Sequence, residues 1–137
     1  MHTEGQFSPE TADEAHERYA SLGSTAQVVV KAVAKSMAFG REEYDERVTG
    51  DVVETAREAM FGETLQVRVG TAAEFDEWRE SADHEIEVLG ADNVDHVAWH
   101  APPFAERAVA ATFQDEEDAA VATLRRQAVA RIYQDVV

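Results

Sequence analysis

The chain contains no cysteine, which excludes disulfides, thiolate metal centres and thiol redox chemistry. It has no run of about 18 uncharged apolar residues, and Met1 to Ser8 is polar, so neither a membrane span nor a secretory signal is expected. Lysine and isoleucine are nearly missing: Lys31 and Lys35 are the only lysines, Ile86 and Ile132 the only isoleucines. Phosphate-loop, dinucleotide-fingerprint and nucleophile-elbow motifs are absent as well, so no motif assigns a reaction. Internal repeats and low-complexity stretches are likewise not seen.

Acid is what the chain has in excess. Its 137 residues hold 28 Asp and Glu against 12 Lys and Arg, a formal net charge of -16. A disordered acidic tail would lack apolar periodicity, whereas here it runs through nearly the whole length, so the acid reads as a coat on a folded body. Scarce Lys and Ile beside abundant Asp, Glu, Ala and Val is the composition of a halophile's cytoplasmic protein. Carboxylates hold water and cations against molar salt, and their mutual repulsion is screened over about 3 Å at 1 M. The charge therefore reports on solvent more than on partners, and a cytoplasmic location is expected.

The length suits a single domain over 1–137, with 1–7 flexible, 8–62 helical and 63–137 running β-α-β-β-β-α. Glycines mark the boundaries. Ser8-Pro9 predicts the start of a first helix, with Ala12, Ala15, Tyr19 and Leu22 inward up to Gly23. Ser24 to Gln27 fits a capping box for a second helix, where Ala26, Val29, Val30, Val33 and Met37 recur at helical spacing; Val28 and Ala32 widen that face enough to predict a largely buried helix. The stretch REEYDERV predicts a short helix, and Asp51 with Glu54 caps another carrying Val53, Ala56 and Met60.

At Thr64 the period changes to two. Leu65, Val67 and Val69 alternate with Gln66 and Arg68 as a half-buried strand, Thr71 and Glu74 form a capping box, and Phe75, Trp78 and Ala82 line the helix that follows. Ile86 and Val88 alternate with Glu85 and Glu87 in a second strand, which implies a right-handed parallel crossover. Val94 to His100 reads as a third strand closed by Pro102-Pro103, and Arg107 to Phe113 as a fourth, apolar enough on both faces for a central position. Asp115 to Glu117 opens the last helix, with Val121, Leu124, Ala128 and Ile132 inward and Arg125, Arg126 and Arg131 late, as the helix dipole favours.

The segments REEYDERVTGDVVETA, DHVAWHAPPF and ATFQDEEDAAVATLRRQA resemble a small haloarchaeal family of uncharacterised proteins, a domain of unknown function, over nearly the whole chain from Gln6 onward. That resemblance implies the origin and a single domain of this length. No activity and no site residues come with it.

Two constellations deserve weighing against their bland explanations. His96 and His100 are four apart, the spacing at which a helix brings two imidazoles to one metal, but Val97 replaces the glutamate of the zinc-hydrolase motif. In a strand the same spacing separates them by about 13 Å, too far for one ion. No metal and no cofactor is therefore expected. Opposite the predicted core face lie Gln66, Arg68, Glu85, Glu87, His96 and His100, which, if their strands are neighbours, form one polar sheet face for a ligand or for proton transfer. Alternation alone predicts such a face with no function, as a solvated or subunit-covered surface. Nucleic acid is not an expected partner, because the arginines form no basic stripe.

The expected architecture is α+β: N-terminal helices followed by a small mixed sheet of about four strands, with a crossover helix and a C-terminal helix on one face. The second face would be covered by the N-terminal helices or by another subunit. The expected role is a non-enzymatic protein-interaction or self-associating domain, with a homodimer or a protein partner. A small-molecule or metal-dependent enzyme using the His96 and His100 face is the alternative, and an acidic DNA-binding regulator a weaker one.

Overall fold

A computed structural model of residues 1–137 shows an α+β fold with a five-stranded mixed sheet. In chain order the elements are β1 (His2–Glu4), α1 (Ala12–Ser21), α2 (Gly23–Ser36), α3 (Arg41–Arg47), α4 (Gly50–Thr64), β2 (Val67–Thr71), α5 (Ala72–Ser81), β3 (Glu85–Leu89), β4 (His96–His100), β5 (Arg107–Phe113) and α6 (Glu117–Ala128). A π-helical turn, Val129–Tyr133, continues α6.

Threonines start three of the helices. Thr11, Thr49 and Thr71 each sit in extended backbone and accept a hydrogen bond on the side chain from the third residue on. At Thr71 the exchange is reciprocal, because Glu74 also accepts from the Thr71 amide, so this capping box forms as read. The boxes expected at Ser24 and Asp51 do not form. A single residue, Leu22, separates α1 from α2 and serves as a shared cap with no side-chain oxygen to offer, and Thr49 stands two residues ahead of Asp51. Ser8 is bypassed as well, since Pro9 is buried and its carbonyl accepts from the Phe104 amide.

The strand order is β1-β2-β4-β5-β3. β2 runs antiparallel to β4, β4 antiparallel to β5, and β5 parallel to β3, so β2 and β3 point the same way with two strands between them. The crossover through α5 thus spans the sheet instead of joining neighbours. Residues 2–4, expected to be flexible, form the fifth strand by pairing antiparallel with β2.

Both faces are covered, each by its own helix. Phe75 of α5 packs with Val97, Trp99 and Ala110 on one face. On the other, Val67, Val69, Ala98, Val109 and Ala111 meet Val121, Leu124 and Ala128 of α6, with Phe61, Leu65 and Tyr19 closing the layer beyond. The crossover and C-terminal helices therefore lie on opposite faces, and the second face needs neither the N-terminal helices nor another subunit. The reason is visible in β4 and β5, whose Val97–His100 and Ala108–Ala111 are buried at every position, as strands covered on two sides must be.

Candidate functional site

His100 is the one buried charged-type side chain, 1% exposed, and it sits with Ala98 on the α6 face. Its Nδ1–H donates to the Gln66 carbonyl at 2.6 Å, which leaves Nε2 without a proton to accept from the Tyr133 hydroxyl at 2.7 Å. The carbonyl can only accept, so this relay fixes the neutral Nδ1–H tautomer. Loss of hydration on burial pulls the imidazole down to about 4, against the opposing pull of the Gln66 carbonyl. Burial likewise raises the Tyr133 hydroxyl above its ordinary range. With both nitrogens engaged, His100 has none left for a metal or a substrate; it joins β4 to the residue before β2 and to the π-helical turn.

The other expected residues do not assemble. His96 stacks on Phe113, ring centroids 5.4 Å apart. Arg68 pairs across β2–β4 with buried Trp99 and so lies on the α5 face, opposite His100. Gln66 precedes β2 and contributes its carbonyl, not its side chain. Glu85 and Glu87 lie on edge strand β3, three strand spacings or about 14 Å from β2. Glu87 forms an ion pair with Arg131. The six residues are split between two faces and two ends of the sheet, so they share no polar surface. At the sheet's other edge, ligand atoms of His2, Glu4 and Glu117 lie within 4.8 Å of one another, and a His2–Glu117 contact of 3.2 Å joins two of them.

Two features outside that list are better organised. The first is α2. Expected to be buried, it buries only Ala26 and Ala34, against α4, while Val28 is 66%, Val29 43%, Val33 52% and Met37 58% exposed. Val52 at the start of α4 is 43% exposed too. From Arg18 to Arg41 the chain carries no Asp or Glu and four cations, Arg18, Lys31, Lys35 and Arg41, in a molecule of net charge -16. This acid-free interval is the sequence signal that periodicity alone passes over.

The second is a groove of about 490 Å³ between α4 and the α6–π segment, within the size range of small-ligand sites. Glu54, Glu58 and Glu63 line the α4 side, Arg125 and Arg126 the α6 side, and Ala59, Val129 and Ala130 supply apolar surface. At one end the Tyr19 hydroxyl donates to Glu54, and burial together with that carboxylate raises the phenol above its ordinary range. Arg57 holds this end in place: its guanidinium lies 4.5 Å from the Tyr19 ring centroid and donates to the Tyr19 and Ala20 carbonyls at the end of α1. Arg125 is likewise anchored, with two donors on the Leu65 carbonyl and Glu63 at 3.5 Å.

In comparisons with known proteins, the model of a family described as "Family of unknown function (DUF5809)" matches residues 6–134. No curated protein and no solved structure matches the chain. No helix is long and apolar enough to cross a membrane.

Proposed function

We propose that this chain, which belongs to the DUF5809 family of unknown function, acts by binding a second copy of itself through the outer face of α2. The observation that carries the reading is the bare apolar stripe of Val28, Val29, Val33 and Met37 inside an acid-free interval, with Val52 of α4 exposed as well. At roughly 150 to 200 Å² for a fully exposed residue, these five leave on the order of 400 Å² open to water, as large as the patches that mark interaction sites on monomers. Two facing stripes remove about twice that, and flanking Gln27 and Ser36 bring the total toward the lower end of a standard interface.

Charge selects the partner. Elsewhere two copies bring carboxylate against carboxylate, whereas a two-fold packing of α2 on α2 sets acid-free surface against acid-free surface. Lys31 and Lys35 border the stripe, so its rim adds no carboxylate to the contact. The coat of Asp and Glu with almost no Lys or Ile supports a halophile's cytoplasm as the setting, where molar salt screens the remaining repulsion.

Sedimentation in molar KCl tests the reading. The protein is expected to run at twice 15.1 kDa, and V29E/V33E as a monomer with unchanged circular dichroism. A monomeric wild-type protein across micromolar to millimolar concentrations, or a dimer that survives both substitutions, sinks it.

A further inference from the structure

We infer that the groove between α4 and the α6–π segment binds a small zwitterion, one ammonium and one carboxylate joined by an apolar body. The inference is independent of self-association, because α2 packs on a different side of α4 and lines no part of the groove. It rests on which lining groups are already engaged. Glu54 accepts from Tyr19 and Arg57, and Glu63 pairs with Arg125, whose other donors are committed to the Leu65 carbonyl. Glu58 has no ion-pair or hydrogen-bond partner, and Arg126 reaches only the Thr123 hydroxyl, at 3.4 Å.

One carboxylate and one guanidinium therefore remain free on facing helices. A singly charged guest would pair with one and leave the other facing only water. A net-neutral zwitterion satisfies both. Because the two charges sit on different helices, whose packed axes stand about 8–10 Å apart, the guest's own charges need a spacer longer than one carbon. Ala59, Val129 and Ala130 offer that spacer an apolar bed. The excess of carboxylates along the walls disfavours phosphates and dicarboxylates. The wall itself is unusual: Val129 and Ala130 belong to the π-helical turn, a rare i to i+5 pattern that is frequent at functional sites.

The experiment titrates ε-aminocaproate and, as a second zwitterion of different shape, the dipeptide Leu-Ala into the protein in molar KCl. Hexylamine and hexanoate serve as single-charge controls, and amide NMR shifts are followed. At least one zwitterion is expected to bind about tenfold more tightly than either control, with shifts confined to α4, α6 and the π-helical turn. Glu58→Gln is expected to reduce its affinity to that of hexanoate, and Arg126→Gln to that of hexylamine; both side chains are exposed, so folding is unaffected. V29E/V33E is expected to bind as wild type does, whatever its assembly state. Failure of both zwitterions to bind, affinity no better than the single-charge controls, shifts elsewhere, or binding untouched by both groove substitutions would overturn the inference.

Discussion

Replacing His100 with asparagine is expected to change how stability depends on pH, beyond the constant cost of losing the Tyr133 contact. His100 is enclosed, and hydration lost on burial holds its folded-state value at about 4, against 6.5 for the free side chain. A group whose folded value is depressed binds protons better when the chain is unfolded, so acid favours unfolding. Its stabilising contribution is complete above 6.5, is lost as the pH falls from 6.5 toward 4, and changes no further below that. The full difference is worth about 3 kcal/mol, of which about 2 kcal/mol is gone by pH 5 and nearly all by pH 4.

Asparagine retains a donor toward the Gln66 carbonyl, yet it cannot take up a proton. Urea unfolding of both proteins in the same molar KCl, between pH 8 and pH 4.5, isolates the effect, because the titrating carboxylates are common to both and cancel in the difference. The wild-type advantage is expected to shrink by about 2 kcal/mol between pH 8 and pH 5. Parallel curves would refute the reasoning, as would an imidazole NMR titration that places His100 near its ordinary value.

Two further outcomes follow from local geometry. Thr71→Ala removes one half of the reciprocal cap on α5, with bonds of 2.9 and 3.1 Å, and is expected to cost about 1 kcal/mol in urea unfolding. Gly90→Ala is expected to cost about 1–2 kcal/mol or more in the same assay, since Gly90 has φ of +94° and an added Cβ would press on the Thr112 side chain. That residue's hydroxyl donates to the Leu89 carbonyl, so the strain would be felt in the β3–β5 pairing.

The helices and four of the strands were legible because periodicity of 3.6 or 2 is a local property. The Thr71 box was legible for the same reason, both its partners lying within four residues. β1 was not, since three polar residues carry no pattern and its pairing depends on β2, more than sixty residues away. Strand order escaped too. Alternation of Val97 and Trp99 shows that they share a face but not which face, and their pairing opposite Arg68 put them under α5 instead of α6.

That single ambiguity moved His100 from the expected polar face into the core. Its partner Tyr133 lies 33 residues away on a π-helical turn that no spacing announces. α2 misled in the opposite sense. A helix apolar around most of its circumference reads as interior, and the absence of carboxylates from Arg18 to Arg41 was the countervailing signal, visible only against the charge of the whole chain.

The strand order also bears on what this protein avoids becoming. A sheet with two open margins is a template on which further chains can grow, so a folded protein must blunt both. One margin here is β1, only three residues long; the other is β3, where Glu85 and Glu87 alternate with Ile86 and Val88. A neighbouring copy approaching β3 meets carboxylates along the rail it would need for hydrogen bonding. Two of the six residues read as a binding face thus stand where edge charges disfavour strand-to-strand pairing of copies.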